Sequence, residues 1–340
     1  MRPSFHPQLV NPPFGDPGLH VDFPFEKRAL LFDLGDLRAL PPRKLLRISH
    51  VFVSHTHMDH FFGFDWLLRI SLGRPNAIEL FGPPGILAQV EAKLSAYTWN
   101  LVHNYAGNFT LVVSEWHPDG RLERARFACR KRFQRDPLVT THCPDGLLVA
   151  EKSFQVRASF LDHEIPVLGF ALDEPRHVNL WKNRLDEMGL PVGPWLQGLK
   201  QAVLAGASDD TPIRAFWNSV GRSEERTLTL AELRPALRIV PGSRIAYVTD
   251  VVHHPENVER IVSLARDADL LFIEAVFLDE DAAHAARKFH LTAKQAGSIA
   301  RAAGARQLIP FHFSPRYADR EAELRKELAQ AFCAAEPSAC

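Results

Sequence analysis

Ser54-His55-Thr56-His57-Met58-Asp59-His60 is the stretch on which the reading of this chain depends. Three imidazoles and a carboxylate fall between His55 and His60, directly after Ile48-Ser49-His50-Val51-Phe52-Val53, whose β-branched and aromatic content reads as a buried strand. Neutral imidazole nitrogens and carboxylate oxygens suit zinc and similar divalent ions. An extended His-x-His turn brings His55 and His57 to one ion, while Asp59 and His60, one turn further on, face a second. The spacing therefore implies two metals. A single histidine among the sixteen in the chain is ordinarily a hydrogen-bonded core or surface residue. Four adjacent ligand-type side chains at a strand end are hard to justify by packing alone.

His55-Thr56-His57-Met58-Asp59-His60 matches the H-x-H-x-D-H signature of the metallo-β-lactamase superfamily, and the chain resembles the ribonuclease Z branch of it from about Phe23 to Tyr317. Several stretches carry the branch resemblance. Gly82-Pro83-Pro84-Gly85 is similar to a turn of ribonuclease Z sequences, although alone it reads only as a helix start. His163, followed by Pro166 and then Gly169-Phe170, fits the third metal motif, with His142 as a rival that lacks the downstream pattern. Phe289-His290-Leu291-Thr292 matches the histidine motif that separates ribonuclease Z-like proteins from most of the superfamily, while Thr292 could equally cap a helix from Ala293 to Ala303. His312-Phe313-Ser314-Pro315-Arg316-Tyr317 matches H-x-S-x-R-Y in full.

A chain of 340 residues with 46% hydrophobic content has ample material for a substantial core. No run of about eighteen apolar residues occurs, and Met1 to Pro7 lacks the apolar segment of a signal peptide, so a cytoplasmic protein away from membranes is expected. Cys129, Cys143, Cys333 and Cys340 form no C-x-x-C pair and read as free thiols. Forty basic residues balance forty acidic ones, so any nucleic-acid contact must be local.

Strands are expected at Ala29 to Asp33, Ala77 to Phe81, Ser153 to Asp162, Arg244 to Asp250, Leu270 to Glu274 and Gln307 to Phe311, with helices at Phe61 to Leu72, Ile86 to Tyr97, from Pro255, and at the carboxyl terminus. Strand periodicity puts Arg124, Arg126, Arg130 and Arg132 on one face and Phe127, Cys129 and Phe133 on the other. A solvated strand face accounts for that pattern as well as a phosphate-binding surface does. Residues 175–241 break the strand rhythm, with helices expected near Val178 to Met188 and Trp195 to Leu204. Met188 to Lys200 resembles the substrate arm of ribonuclease Z.

The resemblance implies an α/β fold, the αβ/βα four-layer sandwich of the superfamily, as a single domain over 1–340 with an inserted arm-like segment at 175–241. It implies that His55, His57 and His163 hold one Zn2+ and Asp59, His60 and His312 the other, with Mn2+ or Fe2+ as substitutes. Asp250 and a hydroxide would bridge the two ions. Asp33 would support the metal loop without being a ligand. Asp59 and His290 would be the catalytic side chains, with Ser314, Arg316 and the four arginines from Arg124 to Arg132 as substrate contacts. The implied activity is a phosphodiesterase acting on RNA, with precursor transfer RNA as one candidate and a homodimer as one expected state. Hydrolysis of a thioester or lactone, and a metal-bearing RNA-binding protein without activity, stay open at this point.

Overall fold

The computed structural model describes residues 5–219, 222–240 and 242–334, so Met1 to Ser4 and Cys340 lie outside it. Leu30, Leu31, Phe32, Val51, Phe52, Leu80 and Phe81 are buried on consecutive positions. Such runs belong to strands covered on both faces. Arg28–Phe32, Ile48–Phe52, Ala77–Gly82 and Thr110–Trp116 accordingly pair in parallel at the centre of an eight-stranded sheet. A six-stranded sheet has Arg244–Val248, Leu270–Glu274 and Leu308–Phe311 in parallel at one side.

Three apolar clusters fill the spaces. Phe32, Phe52, Phe81, Phe170, Tyr247, Phe272 and Phe311 pack between the sheets. Helices Phe64–Ser71 and Ile86–Ser95 bury Leu67, Leu68, Ile86 and Val90 on the outer face of the first sheet. Helices Pro255–Leu264, Ala293–Ala302 and Glu321–Cys333 bury Ile261, Ile299 and Leu324 on the outer face of the second. Helix, sheet, sheet, helix is the four-layer αβ/βα sandwich.

The chain divides into two compact units, Met1–Asp173 with Ser243–Cys340, and Glu174–Gly242. The second pairs strand His177–Leu180 with Leu237–Val240 and strand Pro212–Ser219 with Arg222–Thr229. Helix Trp195–Leu204 supplies Trp195, Leu196 and Leu199 to a core with Leu185, Ile213 and Leu228. The helix expected from Val178 to Met188 is therefore a strand to Leu180 and a short helix Lys182–Glu187. Cross-strand partners distant in sequence outweigh the local helical spacing there.

Two further expectations are corrected. The helix from Phe61 to Leu72 is two pieces, Met58–Phe61 and Phe64–Ser71. At the junction the Gly63 N–H donates to Leu34 O at 2.7 Å. A Cβ on Gly63 would lie 2.2 Å from Gly35 O, so only glycine permits this approach. Nor do the four arginines share a strand face: the strand ends at Ala128, Cys129–Lys131 is a 3-10 turn and Arg132 is left-handed at φ 55°. Burial of Cys129 and Phe133 turns the chain inward, leaving Arg130 and Arg132 on a turn. Arg124 is bound to Glu79 at 2.9 Å and Ser114 at 3.1 Å.

Candidate metal centre

Parallel strands deliver side chains to a common edge, the carboxyl ends where open α/β sheets place ligand sites. Asp33 follows Arg28–Phe32, His55 follows Ile48–Phe52, Asp250 follows Arg244–Val248, Glu274 ends Leu270–Glu274, and His312 follows Leu308–Phe311. Antiparallel Gln155–Asp162 adds His163. Asp33, Asp250 and His312 take left-handed backbone, at φ 58°, 46° and 59°. This conformation costs a non-glycine residue about 1–3 kcal/mol, and it turns each side chain off the end of its strand.

Asp250 lies at the centre. Its Oδ1 is 2.9 Å from His312 Nδ1 and 3.2 Å from His60 Nε2, and its Oδ2 is 3.4 Å from His163 Nε2 and 3.5 Å from His55 Nε2. Donor atoms of His55, His57, His163 and Asp250 fall within 4.8 Å of one another, as do those of Asp59, His60 and His312. His142 is exposed on strand Val139–His142 and belongs to neither group.

Hydrogen bonds from outside the cluster fix which imidazole nitrogen faces it. His60 Nδ1 is 2.9 Å from Asp33 Oδ2, His163 Nδ1 is 2.7 Å from Phe289 O, and His55 Nδ1 is 3.1 Å from Ser54 Oγ. The inward Nε2 atoms of His55 and His60 and Nδ1 of His312 are buried without a hydrogen-bond partner. Buried nitrogens left open this way and aimed at one carboxylate fit a metal, which requires neutral imidazoles held by such outer contacts.

Electrostatics point the same way. Burial, then the neighbouring imidazoles, hold His55 down to about 2. His60 is buried as well, but the carboxylates of Asp250 and Asp33 outweigh that and push it up to about 10. Asp250 stays charged well below the usual carboxylate range despite burial, through His60 and His312. The centre thus demands positive charge at its carboxylates, and bound cations satisfy that demand without protonating ligands.

Two contributors carry no local sequence signal. Glu274 is fully buried and accepts N–H groups from Asp250 at 3.1 Å, Val251 at 3.2 Å and Leu291 at 2.9 Å, and His290 Nδ1 at 2.9 Å. An acid closing the apolar run Leu270-Leu271-Phe272-Ile273 was the only trace of it. Tyr247 OH donates to Asp33 Oδ2 at 2.9 Å, while Asp33 also accepts Ser54 N at 2.6 Å and Ser54 Oγ at 2.8 Å. Tyr247→Phe should lower unfolding free energy by about 1.5–3 kcal/mol, the scale of a hydrogen bond to a buried charge. Urea denaturation reads this as a lower midpoint at unchanged slope. An unchanged midpoint would mean that Asp33 does not need the phenol.

A cavity of about 400 Å³ opens beside the cluster, lined by Asp59, His290, His312, Ser314 and Arg316 among others. Ser314 Oγ caps the turn Pro315–Tyr317 by accepting Arg316 N–H, and Arg316 Nη1 is 3.4 Å from Asp281. Thr292 caps helix Ala293–Ala302 with Gln295. The residue two before it, His290, is left facing the cavity with its Nδ1 held by Glu274. Burial works against charge on His290, Glu274 works for it, and the balance raises its pKa.

Residues 9–178 and 209–313 match the family model described as the beta-lactamase superfamily domain, and the chain belongs to that superfamily. A ribonuclease Z of Deinococcus radiodurans is 32% identical over 305 residues, covering 89% of this chain and 86% of that protein. Another, from Synechocystis, is 30% identical over 278 residues, covering 81% and 69%. Within the superfamily the chain is a member of the ribonuclease Z branch. The crystal structure of human tRNase Z, short form, shares the fold at a TM-score of 0.51, with 20% identity and 92% of each chain covered. No helix among the described residues is long and apolar enough to cross a membrane.

Proposed function

We propose that this protein is a metal-dependent phosphodiesterase of ribonuclease Z type, an endonuclease that hydrolyses an RNA phosphodiester at the 3′ end of precursor transfer RNA in the cytoplasm. The observation that carries the reading is His290: it is outside the His55 and Asp59 groups, falls within 4.8 Å of ligand atoms of Asp250, Glu274 and His312, is committed at Nδ1 to Glu274 at 2.9 Å, and lines the same cavity as Asp59 and His312.

In this reading His55, His57 and His163 would hold one Zn2+ and Asp59, His60 and His312 another, with Asp250 serving both groups, and such ions would supply water acidified towards neutral pH and screening of phosphate charge. Asp59 accepts a proton from the attacking water and so orients it. His290 keeps Nδ1 on Glu274, which leaves Nε2 to donate to a phosphate oxygen or the departing oxygen. Fixing one nitrogen of an imidazole on a buried carboxylate is how a general acid is held in one tautomer and one direction. Ser314 shapes the turn that presents Arg316, whose guanidinium suits phosphate. The segment 175–241 is read as an arm inserted into one enzyme domain. Arg124, Arg126, Arg130 and Arg132 are retained only as scattered phosphate contacts.

Metal analysis with parallel assays on a small phosphodiester, precursor transfer RNA and a thioester tests the reading. The expected result is turnover of both phosphodiesters that is lost on chelation and restored by zinc. Turnover of the thioester alone would replace it with the carbonyl-hydrolase alternative. The reading includes a homodimer: Phe62, Trp66 and Tyr97 are exposed around a second cavity of about 520 Å³, surface that a second copy could cover. Light scattering should then give twice the 38.3 kDa chain mass.

A further inference from the structure

The lining of the catalytic cavity includes two cations, Lys288 and Arg316, and two carboxylates, Asp16 and Asp59. The cations differ in how far they are committed. Arg316 is within 3.4 Å of Asp281, which also accepts the Tyr317 hydroxyl. Lys288 is exposed and has no ion pair or side-chain hydrogen bond among the described residues.

Lys288 is also tied by its backbone to the reacting groups. It ends helix Ala282–Arg287, with its N–H donating to His284 O and Ala285 O at 3.0 Å. Phe289 then takes left-handed backbone at φ 59°, and its carbonyl accepts His163 Nδ1 at 2.7 Å. His290 follows, with its N–H on Ala285 O at 3.0 Å and its ring on Glu274. Three consecutive residues therefore link a free ammonium, a metal-facing histidine and the proton donor. The backbone that carries Lys288 is thereby held beside the metal centre.

An RNA strand seated with one phosphate at the metal centre brings its neighbouring phosphates to the lining of this cavity. Asp16 disfavours them on its side. A compact ammonium on a flexible stem accepts phosphate as a point charge without demanding one geometry. We infer that Lys288 holds the phosphate adjacent to the scissile one in an RNA substrate, and thereby sets which internucleotide bond reaches the metal centre. This rests on the phosphodiesterase reading above.

The test is Lys288→Ala and Lys288→Arg assayed on precursor transfer RNA and on bis-p-nitrophenyl phosphate, which has no adjacent phosphate, together with the salt dependence of binding of labelled RNA by anisotropy. For Lys288→Ala the KM for RNA should rise about tenfold or more, well beyond any change on the small diester. The slope of log affinity against log salt should fall by about one phosphate contact. Lys288→Arg should recover most of the loss, since a cation is kept. Unchanged RNA KM and salt slope would leave Lys288 as a solvated helix-end lysine, and equal losses on both substrates would make it a support of the fold; either result overturns the inference. A wild-type protein that cleaves neither phosphodiester would instead remove the functional reading, while the salt slopes of wild type and variant would still decide whether Lys288 holds phosphate.

Discussion

Replacing Asp250 with alanine is expected to remove metal and phosphodiester turnover together. Its two oxygens lie 2.9–3.5 Å from nitrogens of His312, His60, His163 and His55, so one carboxylate serves both ligand groups. Without it, four imidazoles face one another across a buried space and lose the one carboxylate that reaches all of them. Loss of outer contacts to a metal ligand already costs about ten- to a hundredfold in affinity, and loss of a shared charged ligand should exceed that. Asp250 is left-handed at φ 46°, which strains alanine in its own right. Asp250→Asn is therefore the companion variant: asparagine tolerates that backbone, keeps the shape and lacks the charge. Both should fold by circular dichroism, and both should lose metal by plasma emission analysis. Full metal content with wild-type turnover in the asparagine variant would remove Asp250 from the centre.

His290→Ala is expected to separate what Asp250 joins. Its Nδ1 contacts Glu274 rather than Asp250, so metal content should stay at the wild-type level while turnover of the phosphodiester falls by about a hundredfold or more, the scale of general-acid or oxyanion assistance. Glu274→Gln is a poor substitute for this experiment, because Glu274 also holds the N–H groups of Asp250, Val251 and Leu291 and its loss would disturb the metal loop. A thioester, if it is turned over at all, should be nearly indifferent to His290→Ala. Near wild-type phosphodiester cleavage by a metal-loaded variant would take away the observation on which the proposed function rests.

How much of this was legible in the chain depends on the range of the physics involved. His55, His57, Asp59 and His60 could be read together because one strand end and one helical turn bring them close whatever the rest of the chain does. Strand Leu270–Glu274, helix Trp195–Leu204 and the strand before Asp250 were legible for the same reason: their periodicity is local. His163, Asp250, His290 and His312 have no local signature of metal chemistry. They were reached through motif resemblance alone.

The rest was decided by tertiary structure. Tyr247 meets Asp33 across 214 positions in sequence, so no window of residues contains that hydrogen bond. Glu274 reads as the end of an apolar strand until the loops after Val248 and before Leu291 fold over it and bring four donors to one carboxylate. The arginine stripe failed in the opposite direction, since period-two spacing continued on paper past Ala128 while the burial of Cys129 and Phe133 bent the real chain. The sequence by itself determined a mixed α/β chain and the identity of the first ligands, through hydrophobic periodicity and short-range spacing, while the layers were implied by the family resemblance. Only packing of the two sheets face to face, with their ligand-bearing strand ends at one edge, determined the centre, because a buried carboxylate is stable only where donors from distant segments converge on it.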